Sequence, residues 1–233
     1  MTSPVWLDNT TYFNGNNGTH NVTMPSGIAA GDLLVMSLST ASSSTLTIDS
    51  IPAGWVLVNT STYDLGFGTY VWLFIYAKSA AGGEGTQTVT LSNSYTLRGI
   101  TSRFEVGSWN DTGTMSDAIA TGTASSAASG EPDPPSISAP WGTTSNLVLV
   151  TTGWNNANTV VAYPSGYSNG SYTSNSAVPS ASAGGLAHAM KATALLAEDP
   201  GAFDLSGTQS YVAQSLFIRN VASGSGLFFG PGF

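Results

Sequence analysis

The sequence predicts an all-β protein, a single jelly-roll-like β-sandwich built from an internally duplicated Greek-key half. The first observation is that its apolar runs are short, rich in β-branched and aromatic residues, and bounded by turn residues. The second is that the chain carries a faint copy of itself, shifted by 112 to 114 residues. A repeat of this length is typical of a duplicated half-domain and not of a solenoid unit.

Four landmarks recur in one order along the chain. DLLV at 32–35 corresponds to NLVL at 146–149, and PAGW at 52–55 corresponds to PSGY at 164–167. Lys78 and Glu84 correspond to Lys191 and Glu198, and residues 98–104 correspond to 211–217. One half alone would expose a hydrophobic edge, so we expect the halves to close on each other. The sequence predicts a sandwich over 1–221, with pseudo-repeats at 20–106 and 135–220 and a Ser/Gly/Pro-rich connection at 107–134. Two separate small sandwiches are the alternative.

The strands are predicted from apolar alternation and from the turns that bound them. In the first half they are 33–38, 45–48, 55–58, 69–78, 86–91 and 100–106; in the second half they are 147–152, 159–162, 187–195, 202–205 and 212–220. The run TYVWLFIYAK at 69–78 is continuously apolar, which predicts burial on both faces. Residues 110–131 are predicted to form a surface loop.

Composition argues against two classes of partner. Charged residues make up 8% of the chain, and the balance of 5 basic and 13 acidic side chains gives a net charge of −8. Clustered basic residues, which nucleic-acid and anionic-membrane binding require, are absent from the sequence. We therefore expect neither partner, nor a secretory leader after Met1. The chain contains 0 cysteines, so disulfides and thiolate chemistry are excluded.

Residues that could carry catalysis or bind a metal are few. His20 is predicted in a polar loop or at a strand edge and His188 within a strand, and their separation gives no zinc-ligand spacing. No Gly-x-Ser-x-Gly elbow follows a strand, and among the scattered acids only Glu105 is predicted well inside a strand. Glu84 and Glu198 are repeat partners, which favours structural salt bridges. We expect no enzyme activity, no cofactor and no metal.

Aromatic side chains suggest a second kind of site. Trp55 and Trp72 are predicted in the core. Trp109, Trp154 and Tyr172 are predicted in loops, where their rings could stack on sugars of a host glycan.

Residues 222–233 lie outside the repeat and combine a Gly/Ser spacer with four large apolar side chains, Leu227, Phe228, Phe229 and Phe233. Exposing them to water is unfavourable. Either this C-terminal arm folds back over its own sandwich, or it docks on a neighbouring subunit as an assembly arm.

The motifs GDLLV at 31–35, PAGW at 52–55, the aromatic run ending at Lys78, and GE at 83–84 resemble a β-sandwich domain of virion structural proteins of tailed bacteriophages. This resemblance implies a non-enzymatic subunit, a capsid decoration (cement) protein or a tail-fibre-associated protein, made in the bacterial cytoplasm and located in the virion. It implies coat or tail proteins as partners and a homo-oligomer, with a trimer expected. A carbohydrate-binding or receptor-binding module is the alternative.

Overall fold

The computed structural model describes residues 2–112, 114–142, 145–175 and 183–221. Two six-stranded antiparallel sheets face each other, and two further pairs of short strands lie outside them. The prediction of an all-β sandwich is confirmed. One apolar layer contains buried residues from both halves, such as Leu33 and Leu147, so the alternative of two separate sandwiches is wrong.

Sheet I is formed by the first half of the chain. Its strands are β1 (Trp6–Val22), β2 (Leu33–Ser42), β3 (Ile48–Ser50), β4 (Val56–Gly66), β5 (Thr69–Ser79) and β6 (Gln87–Phe104). They pair in the order β1-β6-β2-β5-β4, and β3 pairs with β6. The sequence predicts two strands where β6 is a single strand of 18 residues. Its length provides partners for the polar strand β1 from Trp6 to Val22.

Sheet II is formed by the rest of the chain. After sheet I the elements are α1 (Met115–Ala118), β7 (Ile119–Thr121), β8 (Ser125–Ser129), β9 (Ile137–Ser138), β10 (Asn146–Asn155), β11 (Val160–Ala162), β12 (Ser168–Asn175), β13 (Gly184–Thr193), β14 (Ala197–Glu198), β15 (Asp204–Leu205) and β16 (Gln209–Ile218). The order in sheet II is β12-β13-β10-β16-β7, with β8 also on β16; β11 pairs with β15, and β9 with β14.

The two sheets repeat one pattern. In each of them the last strand of the half, β6 or β16, lies beside the first core strand, β2 or β10, and the edge is formed by β4 or β12. Across the sandwich β2 packs on β10, β6 on β13, and β5 on β16, which is the pairing of an approximate two-fold relation. The chain enters sheet II once, whereas jelly-roll strands alternate between sheets. The structure therefore resembles a jelly roll in its two facing sheets, but the order in which the chain connects the strands is different.

The predicted surface loop at 110–131 is wrong in part. It contains α1, β7 and β8, and both strands pair with β16. The five residues of β8, Ser-Ser-Ala-Ala-Ser, carry no apolar alternation that could have identified them as a strand. Their backbone groups nevertheless satisfy the otherwise open edge of β16, so main-chain hydrogen bonding and not side-chain pattern determines this strand.

The buried side chains form three layers. The central layer lies between the sheets and includes Leu33, Ile75 and Leu147. A second layer covers the outer face of sheet I, where Trp55 is buried and donates its indole N–H to Gln87 at 3.1 Å, as expected of a core residue. The third covers the outer face of sheet II and includes Phe203. Both sheets thus have apolar residues on both faces.

At one cross-strand pair the large and the small residue lie on opposite strands in the two repeats. In sheet I, Thr40 of β2 lies opposite Trp72 of β5. At the equivalent place in sheet II, Trp154 of β10 lies opposite Gly185 of β13. A Cβ atom added to Gly185 would lie 2.0 Å from Cζ2 of Trp154, so glycine is required for the indole to occupy this position.

We expect Gly185→Ala to lower the free energy of unfolding by about 1–3 kcal/mol, because the fully buried Trp154 ring has nowhere to move. Chemical denaturation of the wild type and the variant measures this difference. Gly85→Ala is the matched control, since no atom lies within 4 Å of its added Cβ. Equal stability of the Gly185→Ala variant and the wild type would contradict the packing described here.

Candidate functional site

The outer face of β5 carries a row of aromatic side chains. Strand alternation directs Val71, Leu73 and Ile75 into the central layer. Trp72, Phe74 and Tyr76 therefore point to the opposite face of sheet I. The rings of Trp72 and Phe74 lie parallel, with centroids 5.8 Å apart and an interplanar angle of 5°.

This aromatic row forms the floor of a depression that we call the β4–β5 groove. Its volume is about 390 Å³. The residues lining it are Thr45, Leu46, Thr47, Ile48, Leu57, Thr60, Trp72, Phe74 and Tyr76. None of these side chains carries a charge, so the groove suits an apolar or aromatic group that brings few polar atoms with it.

Trp72 marks the open part of the groove. It is half-buried, and its indole N–H donates to the Ser42 hydroxyl at 3.0 Å. The prediction that 69–78 is buried on both faces is therefore wrong at this point. The inner face is covered by sheet II, but the outer face near Trp72 is covered only in part, by the segment at 45–48.

A second depression, the edge groove, lies between the edge of sheet I and the α1–β7 segment. Its volume is about 190 Å³, and its lining residues are Val56, Leu57, Val58, Met115, Ser116, Ile119 and Thr121. Leu57 lines both depressions, and 48% of its surface is exposed. The two grooves thus form one apolar track around β4. Sequence reasoning missed this track, although the alternating aromatic residues of β5 were a signal for it.

Two of the three predicted sugar platforms are buried. Trp109 is 2% exposed and donates its indole N–H to the Gly31 carbonyl at 3.0 Å, while Trp154 is 0% exposed. The prediction that these two rings are presented in loops is wrong, because segments distant in sequence cover them. Tyr172, on β12, remains 40% exposed. Glycan binding stays a prediction that rests on this ring.

The motif residues of the first half have structural roles. Asp32 accepts hydrogen bonds from the backbone N–H groups of Ala29 and Val106, at 2.9 and 3.0 Å, and its carboxylate lies 3.7 Å from Nε of Arg103. These contacts fix the entry into β2 and the exit from β6. The aspartate of the GDLLV motif therefore has a structural role.

The lysine–glutamate landmarks form the predicted salt bridges in both halves. Lys78 lies 3.3 Å from Glu84, and Lys191 lies 2.6 Å from Glu198. Burial raises the pKa of Glu84, but hydrogen bonds from backbone N–H groups and from Lys78 outweigh it, so the pKa is lowered on balance. These acids hold the turn after β5 and the turn after β13.

Both histidines are buried. His20 lies on β1, the edge strand of sheet I, which agrees with the strand-edge alternative and not with the loop. Its Nδ1 is 3.4 Å from the Tyr12 hydroxyl. His188 lies on β13, as predicted, with Nδ1 at 3.3 Å from the Ser102 hydroxyl of the facing sheet. Its Nε2 has no hydrogen-bond partner among the described residues. Burial lowers the pKa of His188 to about 3, which keeps the ring neutral inside the sandwich.

Glu105 was the acid predicted to lie well inside a strand. β6 ends at Phe104, so Glu105 lies just beyond the strand and is exposed.

Within the described ranges, no group of three or more His, Asp or Glu residues is placed to hold a metal ion. In the same ranges no helix has the length and apolarity needed to cross a membrane. The predicted assembly arm, with Leu227, Phe228, Phe229 and Phe233, lies outside the described residues.

The neutral His188 predicts a pH-dependent stability. Between the ordinary pKa of 6.5 and the lowered value of about 3, the unfolded chain binds a proton that the folded chain does not. Unfolding free energy should therefore decrease as pH falls below 6.5, by up to about 1.4 kcal/mol per pH unit. Urea unfolding at pH 7, 6 and 5 should show a smaller decrease for His188→Gln than for the wild type. Equal slopes would contradict the burial of this ring, since His20 contributes equally to both proteins.

No family model, no curated protein and no solved structure matches this chain.

Proposed function

We propose that the protein is a non-enzymatic structural subunit of a tailed-phage virion, acting by self-association and by docking on coat or tail proteins. The observation that carries this proposal is Phe67, at the tip of the β4–β5 hairpin. It is the most exposed large apolar side chain of the described residues. Aromatic side chains are enriched at protein interfaces, so this exposed ring is a candidate contact residue for a partner.

The backbone at this tip is also unusual. Phe67 has φ 53°, between Gly66 at φ 83° and Gly68 at φ 76°. Left-handed backbone is favourable for glycine and costs free energy for a residue with a large side chain. Asp64 accepts a hydrogen bond from the Gly66 N–H at 2.7 Å and supports the turn. The hairpin therefore presents a phenyl ring that is not part of the described core clusters.

The edge strand β4 adds a second feature that supports self-association. Val56 and Leu57 are 47% and 48% exposed on this strand, which ends sheet I. Unpaired edges of sheets are natural places for contact with another chain. Together with Phe67, the hairpin offers apolar contacts at its tip and along its edge, and closed cyclic symmetry would bury them in every copy.

The sequence motifs that resemble virion domains also support the proposal. Asp32 and Glu84 make turn and ion-pair contacts that maintain the fold. The motif residues thus serve the scaffold, and the resemblance brings no catalytic residue with it.

Quantitative mass spectrometry of purified particles from the source phage tests this function. We expect the protein in the particles: a copy number close to that of the coat protein indicates capsid decoration, and a few copies indicate the tail or a fibre. Absence from intact particles would refute the virion proposal.

Phe67→Ser should weaken self-association at least about tenfold, because truncating a central contact residue removes much of the binding energy. Sedimentation velocity over a concentration series measures the association, and thermal unfolding should be unchanged. Val161→Ser is the control, since Val161 is 63% exposed on β11, away from the hairpin. If both variants associate as the wild type does, Phe67 is not an assembly contact.

A further inference from the structure

We propose that two copies of the chain associate about a two-fold axis, with β4 of one copy antiparallel to β4 of the other and Thr62 beside the axis. In this arrangement Phe67 of each copy lies against Leu57 of the other, at the wall of the β4–β5 groove. The inference rests on the self-association within the proposed function and not on location in a virion. It adds the surface that receives Phe67 and the geometry of the contact.

β4 is an open edge of sheet I. It pairs with β5 on one side, and no strand of the described residues pairs with its other side. Edge strands are usually protected by lysine, proline or an inward-pointing charge. The residues of β4 read VLVNTSTYDLG, with no lysine, arginine or proline and with one acid, Asp64. This composition leaves the strand free to pair with another chain.

The other edges of the two sheets are less available. β1, at the opposite edge of sheet I, contacts β12 of sheet II, and its register with β6 shifts at three places. The edge of sheet II near β4 is formed by β7 and β8, which are 3 and 5 residues long. Short or irregular edges are poor templates for a second chain. Among the described strands, β4 is therefore the best template.

Strand geometry limits the registers that two copies of β4 can adopt. Thr60, Thr62 and Asp64 lie opposite aromatic residues on the outer face of β5, so they point outward, and all three are exposed. The residues between them point inward, and Tyr63 packs on the central layer. Residues directly opposite each other in an antiparallel pair share a face. Outward residues of the two copies therefore meet only if the axis passes beside a residue and not between two residues.

Thr62 is the position beside the axis that best suits the exposed side chains. With the axis there, Thr62 meets its own copy, and Asp64 lies opposite Thr60 of the other copy. With the axis at Asp64, two carboxylates would face each other, which is unfavourable. Leu57 and Phe67 lie equally far from Thr62, since 62 − 57 and 67 − 62 are both five, and one register irregularity lies on each side. These two apolar residues therefore come opposite each other.

Phe67 cannot meet Leu57 of its own chain. The two residues are separated by ten positions along one extended strand, which corresponds to about 33 Å. Both side chains are exposed in the single chain, and the groove beside Leu57 is lined by uncharged residues. A two-fold contact uses the same surface of each copy. It therefore removes two phenyl rings and two leucines from water in one interface.

The charge distribution also favours this edge. Each copy carries a net charge of −8, so two copies repel each other in general. β4 carries one of the 13 acidic side chains. In the proposed register the two copies of Asp64 are four positions apart, or about 14 Å, which exceeds the screening length of about 8 Å in physiological salt. The contact therefore brings few like charges together.

Disulfide trapping tests the register in the full-length protein, because the natural chain contains 0 cysteines. Two thiols introduced by Thr62→Cys would face each other across the axis, at the Cα separation of about 4.5–5.5 Å that antiparallel pairs provide and disulfides accept. We expect a covalent dimer on oxidation, seen by electrophoresis without reductant. Thr60→Cys is the matched control, with the same residue type on the same face. Its two copies lie about 14 Å apart, so it should cross-link at least tenfold more slowly.

A mixture of two variants checks the register a second way. Positions 60 and 64 lie opposite each other in the proposed pair, so copies with Thr60→Cys and copies with Asp64→Cys should form a mixed dimer, identified by its mass. Neither variant should cross-link readily alone. Adding Phe67→Ser to Thr62→Cys should slow disulfide formation at least tenfold, because the ring supplies contact energy at both ends of the interface.

The outcomes separate this inference from the proposed function. If sedimentation velocity shows association, but Thr62→Cys cross-links no faster than Thr60→Cys or no mixed dimer forms, the two-fold arrangement is wrong and self-association stands. The trimer that the resemblance implies would give this result, because cyclic contacts of three copies join different surfaces and no residue faces its own copy. A protein that stays monomeric at every concentration would overturn both the arrangement and self-association.

Discussion

The contact between the inner faces of the two sheets is the interaction on which the rest of the structure depends. β2 packs on β10. On either side of this pair β6 packs on β13 and β5 packs on β16. Because β16 is the repeat equivalent of β6 and β13 that of β5, these two contacts are equivalent. Ser39 and Gly153 face each other so closely that a Cβ on Gly153 would lie 2.2 Å from the Ser39 hydroxyl oxygen. Each sheet has one face that only the other sheet can cover. A second sheet is therefore a requirement of the fold, because neither half could bury this face alone.

The outer faces depend on this contact in turn. Because the inner faces are already paired, each half must cover its second apolar face with its own loops and strand ends. Sheet II does so with aromatic residues such as Tyr163 and Phe203. Sheet I uses the far parts of β1 and β6 together with Trp55, and leaves the β4–β5 groove open among the described residues. This difference between related faces locates the candidate site.

Only 8% of the residues are charged, and the ion pairs among the described residues lie at structural positions. The pairs Lys78–Glu84 and Lys191–Glu198 recur at equivalent turns. His188 is held neutral between the sheets. Among the exposed apolar side chains of the described residues, Phe67 is the most accessible. A function based on apolar contacts agrees with this distribution better than one based on titratable groups.

The sequence by itself determined the local features: the core strands at β2, β5, β10 and β16, the paired salt bridges, and the place of Trp55. These follow from alternation and turn residues, whose signals lie within a few residues of each other, and from the repeat, which is visible in the sequence without any structure. Only the tertiary structure decided which faces are covered. Trp109 is buried because its indole meets Gly31, 78 residues away, and β8 forms because β16 offers a free edge. Trp72 stays half-buried for the same physical reason: exposure depends on which distant segment lies over a side chain, and local pattern does not record that.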